Sequence, residues 1–124
     1  MCRILVADDN WQQLNLRKLL LEQVGHQVAV AWSVSETMRQ VELGGAELVI
    51  MDLRFPNANG EPDPGEGLAL IRRIRESGCR VPLIVLSGWP EDLYGSPEES
   101  MVSRVMVKPV KVSVLLETIA ELVG

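Results

Sequence analysis

The sequence predicts one α/β domain, built on a doubly wound parallel sheet of five strands with helices on both faces. Two observations predict it: short continuous apolar runs alternate with segments of helical periodicity, and no repeat or low-complexity tail interrupts them. A chain of 124 residues can bury a sizeable core. Aliphatic side chains must fill that core, because the hydrophobic content is 47% and the aromatic content is 4%. We expect the domain to span residues 1–124.

Five apolar runs, rich in Leu, Val, Ile and Met, have the length of buried strands. They cover residues 2–7, 27–31, 47–51, 81–86 and 104–107.

Five intervening segments have helical features. They cover residues 12–24, the stretch from Ser33 to Gly44, residues 67–77, a short stretch from Ser96, and residues 111–123. Ser33 to Glu36 is a capping-box pattern, and Pro97 suits the first helical position after Ser96. The first helix carries Leu16 among apolar residues mostly at helical spacing, and the last is expected to turn Val112 inward.

Polar groups follow four of the predicted strands. They are the pair Asp8 and Asp9, then Asp52, Ser87 and Lys108. Because ligands of open α/β sheets bind at the carboxyl ends of the strands, we expect these groups to converge there. Adjacent carboxylates repel one another, and a bound cation relieves this; oxygen ligands favour Mg²⁺ or Mn²⁺. The sequence therefore predicts a site for a divalent cation and a phosphoryl group.

The chemistry of the five groups fits phosphoryl transfer. A carboxylate oxygen can attack phosphorus to form an acyl phosphate, and the phosphoryl oxygens then need counter-charge. Lys108 would supply a positive charge and Ser87 a hydroxyl donor. Pro109 would fix the backbone that aims Lys108, through a cis peptide bond.

The chain resembles, from end to end, the receiver domains of bacterial two-component response regulators. The matching stretches are ILVADDN, LVIMDLRFP, LIVLSG and VMVKP. The resemblance implies a flavodoxin-like (βα)₅ fold with strand order 2-1-3-4-5. It also implies that Asp52 accepts a phosphoryl group from a histidine of a sensor kinase or phosphotransfer protein. Asp8, Asp9, Asp52 and the backbone carbonyl of Arg54 would hold Mg²⁺, while Ser87 and Lys108 would contact the phosphoryl oxygens.

Three features depart from that family. Val105 stands where the family often has an aromatic residue that reports phosphorylation. Pro90, Gly95 and Pro97 interrupt the region of the usual fourth helix. About seven extra residues, around Glu61 to Gly67, follow the turn after Asp52, in a loop predicted from Phe55 to Glu66.

Composition and charge argue against several other classes of protein. The net charge of −5 without a basic cluster argues against direct contact with nucleic acid. No run is long enough to span a membrane, and no signal peptide is evident. Cys2 and Cys79 are isolated thiols, which favours a cytoplasmic location. We expect a monomer or weak dimer.

Several other residues are candidates for lesser roles. His26, the single histidine, is expected in a surface turn away from the acidic groups. Trp11 and Trp89 are expected to line the mouth of the site or anchor loops, and Trp32 to pack against the fold. The acidic residues of the inserted loop extend the negative field toward a metal or partner, or are solvated; they are Glu61, Asp63 and Glu66.

We interpret the chain as a phosphorylation-controlled switch that acts on a downstream protein, and not as a metabolic enzyme. Met1 favours a native start, while the end at Gly124 fits either a stand-alone regulator or a piece of a longer protein. One alternative is a binding module that has lost phosphorylation. Another is a Mg²⁺-dependent phosphohydrolase, but those enzymes usually need a carboxylate two positions after the nucleophile, where this chain has Arg54.

Overall fold

The computed structural model describes residues 1–123, so the last residue of the predicted domain lies outside the described residues. In chain order the elements are β1 (Arg3–Ala7), α1 (Trp11–Gln23), β2 (Gln27–Ala31), α2 (Val34–Leu43), β3 (Leu48–Met51), β4 (Phe55–Pro56), β5 (Pro62–Asp63), α3 (Pro64–Glu76), β6 (Leu83–Ser87), a 3₁₀ helix (Pro90–Asp92), a second 3₁₀ helix (Pro97–Met101), β7 (Arg104–Val107) and α4 (Val112–Val123).

Five strands form one parallel sheet in the order β2-β1-β3-β6-β7. The strands β4 and β5 form a separate hairpin. When only the five strands of the sheet are counted along the chain, their order is 2-1-3-4-5, which confirms the prediction. The register pairs Ala7 with Met51, and Met51 with Val85. Ser87 pairs with Val107 on the next strand. The residues that follow β1, β3, β6 and β7 therefore meet at one edge of the sheet.

Helices cover both faces of the sheet, as predicted. On one face, Met38 of α2 and Ile71 of α3 pack with Leu5 of β1 and Val85 of β6. On the other face, the residues that pack together are Leu14 of α1, Ile119 of α4, Ile4 of β1 and Ile84 of β6. Side chains of each strand alternate between the two faces, so both sides of the sheet are buried and the strands read as continuous apolar runs.

The segment after Asp52 differs from the prediction. Residues 57–61 link a short antiparallel hairpin in which Phe55 pairs with Asp63. Helix α3 begins at Pro64, three residues before the predicted start, because Asp63 caps it by accepting a hydrogen bond from the backbone N–H of Gly65. The insertion is therefore a hairpin, and its last predicted residues, 64–67, belong to the helix.

Gly67 fixes the first turn of α3 against the sheet. It is buried, and a Cβ at this position would overlap the backbone of Leu53, the residue after Asp52. A glycine here lets the helix approach the strand end directly.

The segment between β6 and β7 contains no α-helix among the described residues, so the prediction of five helices is wrong. The helix predicted from Ser96 is present only as the 3₁₀ helix Pro97–Met101. Pro90 begins the other 3₁₀ helix, and Gly95, between the two, has a φ of +80° that breaks helical continuity. Leu93 is fully buried and anchors the segment to the core.

Some apolar side chains expected on the inner faces of helices are exposed. Leu14 and Leu21 form the buried face of α1, whereas Leu16 and Leu19 are each 58% exposed. Val112, at the start of α4, is also exposed. Only some of the leucines of helix α1 therefore pack against the sheet, and the others face solvent.

Candidate functional site

Three carboxylates meet at the carboxyl edge of the sheet. Asp8 and Asp9 follow β1, and Asp52 follows β3. The backbone N–H of Asp52 donates to the carbonyl of Ala7 at 3.1 Å, which extends the pairing of β1 and β3 to the site itself. One oxygen from each carboxylate lies within 4.8 Å of the others. The structure therefore brings together all three aspartates that the sequence singled out.

Lys108 completes the centre of this cluster. Its Nζ lies 3.0 Å from Oδ2 of Asp52 and 3.3 Å from Oδ2 of Asp8. The peptide bond between Lys108 and Pro109 is cis, as the sequence analysis expected. The ammonium is the nearest described counter-charge to two of the three carboxylates.

Asp8 and Asp9 sit in different environments. Asp8 is 1% exposed, and its Oδ1 accepts a hydrogen bond from the backbone N–H of Asn10 at 2.9 Å. Asp9 is exposed. Its pKa is nevertheless raised, first by desolvation, then by the charge of Asp8, and more weakly by the charge of Asp52. The repulsion from Asp8 and Asp52 is the part of this effect that a bound cation would relieve.

Helix α1 contributes two residues that the sequence analysis missed. The Oε1 of Gln13 accepts a hydrogen bond from Lys108 Nζ at 3.0 Å, and Arg17 Nη1 lies 3.4 Å from Oδ2 of Asp8. Asn10 caps the helix by accepting from the backbone N–H groups of Gln12 and Gln13. Gln13 and Arg17 are four residues apart, so they share one face of α1, and that spacing after the cap was the available signal.

Ser87 lies at the end of β6 and is fully buried. Its backbone carbonyl accepts a hydrogen bond from the N–H of Lys108 at 2.9 Å, so it adjoins the cluster through the sheet. Its Oγ accepts a hydrogen bond from the backbone N–H of Trp89 at 3.0 Å. Within the described part of the chain, the hydroxyl bonds to that loop and not to a carboxylate.

Arg54 links the loop after Asp52 to the segment after β6. Its Nε and Nη2 donate to Oδ2 and Oδ1 of Asp92, at 2.8 and 3.3 Å. The guanidinium lies over the indole of Trp89, 3.9 Å from the ring centroid. The backbone N–H groups of Leu53 and Arg54 donate to Oδ1 of Asp52, at 2.7 and 3.4 Å. From the sequence, only the backbone carbonyl of Arg54 was expected to take part in the site.

The tryptophans flank the site in two groups. Trp11 and Trp32 stack with ring centroids 5.2 Å apart, and both are about half exposed, with values of 49% and 44%. Trp89 packs under Arg54 on the other side of the acidic cluster. Trp32 therefore packs against Trp11, on the surface.

Other candidate residues lie apart from the acidic cluster. Asp63 caps α3. Glu61 and Glu66 are not among the carboxylates that lie close enough together to share an ion. His26 lies in the turn before β2, where its Nδ1 accepts a hydrogen bond from the backbone N–H of Cys2 at 3.3 Å. Burial raises the pKa of the Cys2 thiol. Both cysteines are free.

The donor set fits a small, hard cation. Asp8, Asp9 and Asp52 offer oxygen ligands only, which favours Mg²⁺ or Mn²⁺ over zinc or copper. Among the described residues, no helix has the length and apolar character needed to cross a bilayer.

Known proteins are similar to this chain in sequence and in fold. Residues 4–120 match the sequence model of the response regulator receiver domain. The CAI-1 autoinducer sensor kinase/phosphatase CqsS of Vibrio cholerae is 34% identical over 120 residues, which is 95% of this chain. This chain spans only 17% of the length of CqsS.

Two crystal structures contain a similar fold. Response regulator TrrA of Thermotoga maritima, in complex with Mg²⁺ and BeF, superposes with a TM-score of 0.84 at 25% identity and covers 99% of this chain and 100% of its own. The complex of histidine kinase ThkA with TrrA gives a TM-score of 0.81 at 26% identity, covering all of both chains. The family match over most of the sequence, together with the sheet order and the acidic cluster at its carboxyl edge, shows that the chain belongs to the response regulator receiver domains of two-component systems.

Proposed function

We propose that this receiver domain, formed by the whole chain, accepts a phosphoryl group on Asp52 and thereby switches its binding to a downstream protein. The position of Asp52 within the cluster carries the proposal. Its side chain is 16% exposed, whereas Asp8 is almost fully buried. Its Oδ1 is held by two backbone N–H groups, and its Oδ2 lies beside the ammonium of Lys108. Asp52 is thus both oriented and open to a donor.

The proposed reaction is a transfer from phosphohistidine. An oxygen of Asp52 forms a bond to phosphorus while the bond between phosphorus and the imidazole nitrogen breaks. The electron pair of the broken bond stays on that nitrogen, and the ring leaves neutral because its other nitrogen carries a proton. The product is an acyl phosphate on Asp52.

Counter-charge at the developing phosphoryl group comes from several residues. Lys108 is within reach of the Asp52 oxygen that would carry the phosphorus, and Ser87 would turn its hydroxyl toward a phosphoryl oxygen. Asp8, Asp9 and Asp52, with the backbone carbonyl of Arg54, would hold Mg²⁺. When bound, Mg²⁺ supplies positive charge that offsets the oxygens of the phosphoryl group.

The receiver would itself catalyse this transfer and the later hydrolysis, so small acyl phosphates should replace the kinase as donors. It is otherwise a signalling domain and not a metabolic enzyme. Arg54 supports this, because it stands where a phosphohydrolase usually needs a carboxylate and it is paired with Asp92. No observation favours turnover of free phosphate esters.

We propose a sensor histidine kinase or a phosphotransfer protein as the donor, in a bacterial cytoplasm. The similarity to CqsS and to TrrA, whose structure with the kinase ThkA is known, supports a partner of this class. The acidic surface, with a net charge of −5, supports a protein target and not nucleic acid. We expect the domain to act as a monomer or weak dimer.

Phosphorylation by acetyl phosphate with Mg²⁺ tests the proposal. We expect intact-mass spectrometry to show one added phosphoryl group that hydroxylamine removes, and peptide mapping to place it on Asp52. Asp52→Asn should abolish it. Asp63→Asn is the matched control, because it removes a nearby carboxylate outside the cluster and leaves an acceptable helix cap. Equal labelling of the wild type and Asp52→Asn would overturn the assignment, and no labelling of either would favour a receiver that has lost phosphorylation.

A further inference from the structure

One side chain joins the two loops that border the site. Arg54 belongs to the loop after Asp52, and Asp92 belongs to the first 3₁₀ helix after β6. Their bidentate pair spans 38 residues of sequence, and the two side chains are only 28% and 14% exposed. The indole of Trp89 covers the guanidinium at 3.9 Å. We call Arg54, Trp89 and Asp92 the Arg54 clamp.

The segment on the far side of the clamp has few other attachments. Its backbone bonds are short-range turns, from Asp92 to Trp89 at 3.0 Å and from Leu93 to Pro90 at 3.0 Å. Leu93 is buried, but Trp89 and Tyr94 are 50% and 53% exposed. Apart from Leu93 the segment has few buried contacts, and such segments lie at the low-stability end of a fold. The clamp and the Leu93 anchor are therefore the main attachments of this segment.

Both ends of the clamp also touch groups that would border the phosphoryl group. Arg54 lies two residues after Asp52, and its backbone N–H already donates to that carboxylate. Trp89 donates its backbone N–H to Ser87 Oγ, a bond that would be lost if the hydroxyl turned toward a phosphoryl oxygen. Phosphorylation would therefore disturb the clamp from two sides.

Charge favours an exchange of partners for Arg54. Asp92 offers the guanidinium one negative charge, whereas a phosphoryl group on Asp52 carries about −1.5 to −2 in place of the single charge of the carboxylate. Arg54 lies two residues after Asp52, and its planar forked donors suit phosphoryl oxygens. A phosphoryl group on Asp52 would therefore compete with Asp92 for the guanidinium.

We propose that Arg54 is a further phosphoryl-contacting residue, whose guanidinium leaves Asp92 for the phosphoryl oxygens on Asp52 and so releases the segment of residues 89–95. This inference rests on the proposed function of Asp52. It gives the domain a readout that needs no aromatic side chain at Val105, which packs with the core cluster on the α2 and α3 face.

Two variants separate the parts of the exchange. Asp92→Asn removes the competitor for Arg54, so it should tighten binding of beryllofluoride with Mg²⁺ about two- to fivefold, the effect of a partly exposed ion pair. Arg54→Gln removes the phosphoryl contact, so it should weaken that binding about tenfold. Glu91→Gln is the matched control, because it removes the same charge from the neighbouring residue, which does not pair with Arg54.

Hydrogen exchange with mass spectrometry measures directly how well residues 89–95 are protected. In the wild type, beryllofluoride should protect peptides around Asp52 and speed exchange in residues 89–95. In Asp92→Asn the segment should exchange fast without ligand, and Glu91→Gln should behave as the wild type. Two results would overturn the proposed exchange of partners and leave the proposed function of Asp52 untouched. One is protection at Asp52 with no change in residues 89–95. The other is equal beryllofluoride affinity in Arg54→Gln and the wild type. Failure of beryllofluoride to protect Asp52 at all would overturn the proposed function, and the exchange with it.

Discussion

The ammonium of Lys108 lies 3.0 Å from Oδ2 of Asp52, the oxygen proposed to carry the phosphoryl group. The same ammonium lies 3.3 Å from Oδ2 of Asp8, so it neutralises part of a cluster that otherwise consists of three carboxylates. We therefore expect Lys108 to act as counter-charge to the cluster before phosphorylation, and as a sensor of the added charge after it.

Lys108→Ala should separate phosphorylation from its consequence. We expect acetyl phosphate still to label Asp52, because the carboxylate and its acidic neighbours remain. The conformational response measured by hydrogen exchange should be lost in the peptides around Lys108, since no ammonium follows the new charge. Without Mg²⁺ the variant should also melt at a lower temperature, because Asp8 and Asp52 lose their shared cation.

Lys111→Ala is the control for this variant, because Lys111 is exposed and lies three residues after Lys108. It should label, respond and melt like the wild type. A complete loss of labelling in Lys108→Ala would show that the ammonium acts in the chemical step, contrary to the expectation.

Asp9→Asn should weaken Mg²⁺ binding strongly while making the metal-free protein more stable. The pKa of Asp9 is raised in the folded state, first by desolvation and then by the charges of Asp8 and Asp52. The folded protein thus binds the Asp9 proton more tightly than the unfolded chain does. The stability from this group is fully present below its ordinary pKa of 3.8 and is lost as pH rises through the raised value.

Thermal melting with and without Mg²⁺ measures both effects. In metal-free buffer at neutral pH, Asp9→Asn should melt above the wild type, and the difference should shrink as pH falls toward 3.8. Added Mg²⁺ should raise the melting temperature of the wild type more than that of the variant, by mass action. An equal rise in both proteins would remove Asp9 from the set of metal ligands.

The local sequence pattern was sufficient to predict the sheet and the residues at its edge. Continuous apolar runs give β2 and β7 with the predicted bounds and the other strands within two residues. Once the strands are parallel, their carboxyl ends coincide, so Asp8, Asp52 and Lys108 must converge. These conclusions need no knowledge of how helices pack.

Other parts of the site depend on tertiary contacts that the sequence does not encode locally. Arg54 and Asp92 are 38 residues apart, and nothing in either segment indicates the pair. Arg17 reaches Asp8 only because α1 packs on the sheet at a particular rotation. The early start of α3 is different: Asp63 followed by Pro64 was a readable cap signal, but the surrounding Pro and Gly residues favoured a loop.

Gly67→Ala should be strongly destabilising, although replacing Gly by Ala usually stabilises a helix. The added Cβ would overlap the backbone of Leu53, which cannot move without displacing the Asp52 loop. We expect a loss of about 3 kcal/mol in the free energy of unfolding and a fall of ~10 °C in melting temperature. Gly88→Ala is the matched control, since a Cβ there meets nothing within 4 Å. Similar melting of the two variants would mean that α3 can shift away from the strand end.

Arg17→Ala should increase the affinity for Mg²⁺. Arg17 Nη1 lies 3.4 Å from Oδ2 of the buried Asp8, so its positive charge opposes a cation that binds the same carboxylate. The side chain is 17% exposed, which limits screening by solvent. We expect a two- to fivefold gain, roughly the effect of one partly exposed ion pair, in a titration that follows the fluorescence of Trp11 near Asp9. Lys18→Ala, whose partner is Glu22 on the same helix, should leave the affinity unchanged. If Arg17→Ala weakens Mg²⁺ binding instead, the guanidinium orients Asp8 for the metal more than it competes with it.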